Sequence, residues 1–222
     1  MKKNKKALLL MSGGIDSPVA GKLAKEKGYE LQAIHFSQEP FTDSTPKLKS
    51  ILLCKQLGIK EMIVVSAGEE FKEIAEKSYR EYYFILIKIF MMKTSQLIAK
   101  EKKIDYLITG ESLGQVSSQT LSNLNTINQS TKIEILRPVL FMNKQEIIDL
   151  SKKYNYFETS TGAEMCDALA SGNPKTQSTL KQVLKEEEKC NINELVKRAL
   201  KKITIEKTNQ EIVLPKTLNT CK

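Results

Sequence analysis

Between residues 7 and 154, short apolar runs alternate with segments patterned for helices, and this alternation limits the fold more than any other feature of the chain. The runs are Ala7 to Met11, Glu30 to Phe36, Lys60 to Ser66, Ile104 to Thr109 and Ile133 to Leu136. Each is mostly apolar, as parallel strands covered on both faces require. Helices are expected from Pro18 to about Lys27, from about Pro46 to Leu57, from Glu69 to about Lys102 with at least one break, and from Asn143 to Tyr154. Pro18 and Pro46 suit a first helical position, and Asp43, Ser44 or Thr45 offers a cap for the second helix. The class this implies is α/β: a doubly wound, mainly parallel five-stranded sheet with helices on both faces. Residues 1–176 are expected to form one domain, with 177–222 a mostly helical extension packed on it that could add a terminal strand.

Within the long helical segment, Phe84 to Met92 reads FILIKIFMM, apolar at eight of nine positions. It has no solvated stripe and belongs in the core or at a subunit interface, which leaves a homodimer open. No apolar run reaches the ~20 residues needed to cross a bilayer, so the expectation is a soluble cytoplasmic protein. The cysteines Cys54, Cys166, Cys190 and Cys221 include no C-x-x-C pair, which argues against a zinc ribbon or a secreted disulfide scaffold. A formal charge of +9 suits a polyanionic partner such as RNA, although lysine-rich helices also occur as solvated faces.

The chemistry is concentrated where the first strand runs into Ser12-Gly13-Gly14-Ile15-Asp16-Ser17, with Pro18 opening a helix. Backbone N–H groups and the helix dipole converge there, which makes an anion site. The glycines permit close approach to a phosphate, and Ser12 and Ser17 offer hydroxyl donors. Asp16 would repel phosphates unless a cation stood between them, so it is the candidate ligand for Mg²⁺ bridging a pyrophosphate. The string lacks the lysine of a G-x-x-x-x-G-K-[ST] loop and the spacing of G-x-G-x-x-G. As S-G-G-x-D-S after a first strand, it resembles the signature of the PP-loop ATP pyrophosphatases. That resemblance implies an adenine nucleotide alpha-hydrolase-like fold and cleavage of ATP into AMP and pyrophosphate.

A second block, Thr109-Gly110-Glu111-Ser112-Leu113-Gly114-Gln115-Val116-Ser117-Ser118-Gln119-Thr120-Leu121, is similar to the T-G-E-S-L-G-Q-V-x-S-Q-T-L string of the tRNA 4-thiouridine synthetases (tRNA sulfurtransferases). His35-Phe36 with Pro40-Phe41-Thr42, and Leu136-Arg137-Pro138 with Asn143 to Ile148, agree with it. The resemblance implies tRNA thiolation: ATP adenylates a uridine carbonyl, and sulfur then displaces AMP. Physical roles can be offered beside it. His35 and Phe36 end a strand at the sheet's carboxyl edge, where nucleotides bind, and their backbone could read adenine. Gly110, with Glu111, Ser112 and Gln115, lies after the fourth strand on the same edge and could contact the nucleotide, with the later residues facing the incoming base, while Leu113 and Leu121 read as packing residues. Arg137 and Lys144 are cations that could stabilise charge at the α-phosphate, Lys144 being favoured by the resemblance. A buried core histidine and a structural ion pair are the plainer readings of His35 and Arg137.

In the family, a loop cysteine supplies sulfur as a thiolate or persulfide, and Cys166 occupies that loop here, eight residues before Pro174. Cys54 lies on an amphipathic helix and reads as core, while Cys190 or Cys221 could resolve a disulfide. Family members usually carry an N-terminal THUMP-containing extension, and some end in a rhodanese domain. Their lack here would mean that a separate subunit supplies the RNA grip, that the basic surface suffices, or that the substrate is not tRNA, and it would call for a sulfide or persulfide donor. In archaeal-type relatives a C-x-x-C pair joins the loop cysteine in holding an iron-sulfur cluster. The matching positions are Phe84 and Ile87, so no cluster is expected. Other acceptors, such as uridine 2-thiolation or an amide ligation, and a nucleotide-binding subunit without catalysis are the competing readings.

Overall fold

The computed structural model describes residues 5–115, 119–161, 174–212 and 214. The expected strands form as β1 (Lys6–Leu10), β2 (Glu30–Ser37), β3 (Glu61–Ser66), β4 (Tyr106–Ile108) and β5 (Glu134–Leu136). A sixth strand from the tail, β6 (Ile203–Lys207), completes the sheet in the order β5-β4-β1-β2-β3-β6. The first five strands are mutually parallel, and β6 runs antiparallel to β3 along one edge.

The connections carry α1 (Asp16–Glu26), α2 (Thr45–Gln56), α3 (Gly68–Lys77), a 3-10 turn at Arg80–Tyr82, α4 (Tyr83–Glu101), α5 (Leu121–Asn128), α6 (Lys144–Lys153) and α7 (Phe157–Ser160). The tail adds α8 (Leu180–Lys189) and α9 (Ile192–Leu200). The 3-10 turn is the expected break in the long helical segment. Asp43 supports the start of α2 by accepting the Thr45 N–H at 2.8 Å.

Side chains alternate across a strand, and β1 serves two cores accordingly. Leu8 and Leu10 join Ile34, Phe36, Ile63 and Val65 under α3, α4 and α9. Ala7, Leu9 and Met11 join Ala33, Met62, Val64 and Ile108 under α1, α2 and α6. The FILIKIFMM segment lies in the first of these cores, with Ile85, Leu86, Ile89 and Phe90 essentially buried. Residues of the tail are part of the same core: Val183, Cys190, Leu195 and Val196 pack against it, and α9 contacts α4. Among the described residues no helix is long and apolar enough to cross a membrane.

This topology positions the site. After β1 the chain moves outward through β2 and β3, then returns to place β4 on the other side of β1. The loops leaving β1 and β4 therefore diverge at the sheet's carboxyl edge, the crevice in which open α/β sheets bind ligands.

Candidate active site at the carboxyl edge

The loop after β1 is held by its own hydroxyls. Ser12 N–H donates to Ser17 Oγ at 3.2 Å, Gly14 N–H donates to Ser12 Oγ at 3.3 Å, and the two hydroxyl oxygens lie 3.2 Å apart. Gly13 has φ +87°, a conformation open to glycine at little cost, and a Cβ there would fall 2.7 Å from the Pro46 carbonyl oxygen. Ile15 occupies the N-cap position of α1 and supplies no side-chain cap, so the first-turn N–H groups lack that partner. The loop is thus a compact turn that leads into a helix start without a side-chain cap, and Ser12 and Ser17 hold it in shape.

Two distant segments close on this loop. Lys144, the first residue of α6, sets its Nζ 2.9 Å from Asp16 Oδ1 across 128 positions of sequence. A capping box in which Asn143 and Glu146 satisfy each other's backbone N–H groups fixes the start of that helix. From β4, Gly110 packs against the first turn of α1 so tightly that a Cβ would lie 2.6 Å from Ser17 N and 2.7 Å from the Asp16 carbonyl carbon. Asp16, Lys144 and Gly110 thus meet at one place.

A cavity of about 240 Å³ opens beside the loop, lined among others by Ser12, His35, Phe36, Gln38, Ile87 and Met91. His35 is buried, and its Nδ1 lies 2.9 Å from the Met11 carbonyl oxygen and 3.1 Å from Ser50 Oγ. A carbonyl can only accept, so Nδ1 carries the proton and Nε2 is the ring's acceptor. Burial lowers the His35 pKa to about 4, against the opposing pull of the Met11 hydrogen bond, so the ring is neutral at pH 7. It is both a buried core histidine, tying β2 to the end of β1, and part of the cavity wall. Phe36 stacks edge-on against Phe90 at 6.2 Å.

Behind Gly110 lies a charge cluster around the buried Glu111 that the sequence reading did not anticipate as a unit. Glu111 accepts from Lys88 Nζ at 2.6 Å, from Arg137 Nε at 2.8 Å and from Thr109 Oγ1 at 3.1 Å. Burial pushes the Glu111 carboxyl up, but Lys88 and then Arg137 outweigh it and hold the group below its ordinary value. Arg137 is therefore engaged in an ion pair, with its Nη1 donating to Asn128 at 3.1 Å, and its Nη2 is buried without a partner. One signal was available: Lys88 is the single charge in FILIKIFMM, and a charge on a buried helix needs a counter-charge.

The loop after β4 runs alongside the loop after β5. Leu113 N–H donates to the Leu140 carbonyl at 2.8 Å, and Ser112 Oγ donates to the Met142 carbonyl at 2.7 Å. Gln115 ends the turn, with its Nε2 buried and unpartnered among the described residues. Leu121, expected to be a packing residue, is instead 67% exposed, because Leu124 and Ile127 provide the buried face of α5. Cys166 and Cys221 lie outside the described residues. Cys54 and Cys190 are buried, and burial pushes their thiols up to about 12 and about 11. That suits Cys54 as core and argues against Cys190 as a resolving thiol. Phe84 and Ile87 both lie on α4, Phe84 partly buried against the core and Ile87 buried in the cavity wall.

Residues 3–192 match the family described as thiamine biosynthesis protein (ThiI). A probable tRNA sulfurtransferase of Alkaliphilus oremlandii is 40% identical over 214 residues, covering 94% of this chain and 55% of the relative. Another from Streptococcus uberis is 38% identical over 212 residues, covering 93% and 52%. The crystal structure of a 4-thiouridine synthetase–RNA complex with bound ATP is similar with a TM-score of 0.85 at 30% identity, covering 91% of this chain and 55% of that one. The chain spans about half the length of the curated relatives it matches. Since the family match extends over residues 3–192 of 222, the chain belongs to the ThiI family.

Proposed function

We propose that this chain uses ATP to adenylate a uridine carbonyl in tRNA and then replaces the activated oxygen with sulfur, giving 4-thiouridine. The observation that supports this most is the meeting of Asp16, Lys144 and Gly110 at the start of α1, beside the cavity edged by His35 and Phe36. At about 240 Å³ the cavity is smaller than the roughly 300–1,000 Å³ of whole-ligand pockets, which suits the adenosine end of a nucleotide whose phosphates lie outside on the loop. Ser12, Gly13, Gly14, Ile15, Asp16 and Ser17 would bind the phosphates through hydroxyls and helix-start N–H groups. The backbone at His35 and Phe36 would read the base. Gly110 would keep the β4 loop close, and the unpartnered Gln115 Nε2 would donate to a nucleotide oxygen.

In this reading uracil O4 attacks the α-phosphorus, the bond to the β-phosphate breaks, and pyrophosphate leaves. Lys144 stabilises the charge that gathers on the α-phosphate oxygens. The donor set fits Mg²⁺ in that ion's usual manner, one carboxylate with substrate phosphates: Asp16 would hold it, and the ion would neutralise pyrophosphate charge. In the second half, a sulfur nucleophile attacks C4 and AMP departs with the oxygen. With sulfide, HS⁻ adds and the product loses a proton. With a persulfide on Cys166, the terminal sulfur attacks, and a second thiol must cleave the resulting S–S bond.

The test is mass spectrometry of nucleosides from unmodified tRNA incubated with the protein, Mg-ATP and sulfide, beside Asp16→Ala and Cys166→Ala. The expected result is 4-thiouridine with the wild type and none with Asp16→Ala. The Cys166→Ala sample then reports whether sulfur passes through that thiol. AMP accumulating without any thionucleoside would move the reading to another acceptor, and neither product would end it.

A further inference from the structure

Phe141 is 84% exposed, more than any other large hydrophobic side chain among the described residues. Isolated apolar residues on a surface are ordinary. This one differs in how it is held. On one side the Leu140 carbonyl accepts from Leu113 N–H at 2.8 Å, and Leu140 N–H donates to the Arg137 carbonyl at 3.2 Å. On the other, the Met142 carbonyl accepts from Ser112 Oγ at 2.7 Å, and Met142 N–H donates to the Val139 carbonyl at 3.0 Å. The backbone is pinned on both flanks, so the ring cannot retreat by local rearrangement of its loop. Burying such a ring is worth roughly 1.5–3 kcal/mol, and that gain is not taken in the free chain.

Its surroundings indicate what covers it. Phe141 lies three residues before Lys144, on the loop that delivers that lysine to Asp16. The turn that pins it, Ser112 to Gln115, continues through the Gly114 N–H to Gln119 carbonyl bond, at 3.0 Å, to the exposed Leu121. A chain with a formal charge of +9 draws a polyanion toward itself, and the partner that combines phosphate charge with flat apolar faces is a nucleic acid.

Resting on the tRNA reading above, we propose that Phe141 is the stacking platform for the uridine brought to this site. Chemistry at a base carbonyl requires the base to leave its stack, and an unstacked base needs a new face to lie on. The Phe141 ring supplies that face, and the loop that positions Lys144 thereby also positions the acceptor. Because stacking tolerates any aromatic ring, tyrosine would serve in its place.

The experiment is ultraviolet crosslinking of transfer RNA carrying 5-iodouridine in place of uridine, mixed at high concentration with the full chain and a non-hydrolysable ATP analogue. Crosslinked peptides are then mapped by mass spectrometry. The expected result is a crosslink at Phe141 that is lost in Phe141→Ala and restored in Phe141→Tyr. In parallel, half-saturation of wild type and Phe141→Ala by RNA should differ by roughly 5- to 150-fold, the stacking worth of one base, with nucleotide affinity unchanged. Crosslinks confined to other residues, or none at all, would overturn the proposal. The tRNA thiolation reading has a separate readout, formation of 4-thiouridine, so a wild type that crosslinks at Phe141 without thiolating, or thiolates without crosslinking there, shows which of the two has failed.

Discussion

Replacing Gly110 by alanine should disable the nucleotide site while leaving the fold in place. The added methyl would fall 2.6 Å from Ser17 N, 2.7 Å from the Asp16 carbonyl carbon and 2.9 Å from Ser17 Cα. All three are backbone atoms of the first turn of α1, so no rotamer change relieves the contact. To reach an ordinary 3.4 Å separation, the β4 loop and the helix start must part by up to about 0.8 Å. Overpacking of this kind costs about 1–3 kcal/mol, and at about 2–4 °C per kcal/mol for a chain of this size the melting temperature should fall by about 2–12 °C. The functional effect should be larger. A displacement on the order of 1 Å in a positioned site costs about 100-fold in rate, and here it separates the turn proposed to bind phosphates from the loop that faces it. The assay is thermal unfolding with and without Mg-ATP, combined with AMP release. Wild type at a hundred times its dissociation constant should gain about 2.7 kcal/mol from the nucleotide, and Gly110→Ala should gain little. Gly28→Ala is the control: at φ +85° with nothing within 4 Å and at the opposite edge of the sheet, it should cost stability and spare nucleotide binding. A Gly110→Ala protein with wild-type melting, ATP protection and AMP release would refute the reasoning.

Glu111→Gln should destabilise the chain by about 1–3 kcal/mol in urea unfolding, because the half-buried cations Lys88 and Arg137 would be left without their carboxylate; an unchanged stability would contradict that. His35 gives a pH dependence of definite sign. Its folded pKa of about 4 lies below the ordinary 6.5, so the unfolded chain takes the proton first, and the stability it contributes is whole above pH 6.5 and lost as pH falls toward 4. The loss approaches about 1 kcal/mol per pH unit in the lower part of that window and totals about 3 kcal/mol. As this is the chain's single histidine, urea unfolding of wild type and His35→Asn at pH 7, 6 and 5 should show a steeper fall in the wild type, and equal slopes would contradict the account.

The strands of the parallel sheet and the turn after β1 are legible in the sequence because local rules and global placement agree there: the runs of β1, β3 and β4 are followed within two residues by Gly13, Gly68 and Gly110, and Pro18 falls in the first turn of α1, two residues after its start at Asp16. The helix α5 is not legible. Its sequence LSNLNTIN is made largely of poor helix formers, and it stands because Thr120 caps it and tertiary bonds hold it. Asn123 donates to the Lys175 carbonyl at 2.8 Å, Thr120 to the Thr176 carbonyl at 2.7 Å and Ser122 to the Ser178 carbonyl at 2.8 Å. The tail strand is legible only as an option, since Ile203 to Lys207 gains its conformation by pairing with β3. For the site, Asp16, Lys144 and Gly110 can each be nominated from sequence. Their convergence cannot, because it depends on β4 crossing to the far side of β1. Arg137 shows the limit of reading a cation by type: its partner, Glu111, is set by the register of β4 against β5.

The most direct test of the central claim is the position at which ATP is cut. Wild type and Lys144→Ala would be incubated with tRNA, Mg²⁺, sulfide and ATP labelled at the α- or γ-phosphate, and the products separated by chromatography. The account predicts that α-label leaves as AMP and γ-label as pyrophosphate, both in step with 4-thiouridine and both suppressed in Lys144→Ala. Release of ADP and orthophosphate by the wild type, or AMP formation undiminished in Lys144→Ala, would contradict it.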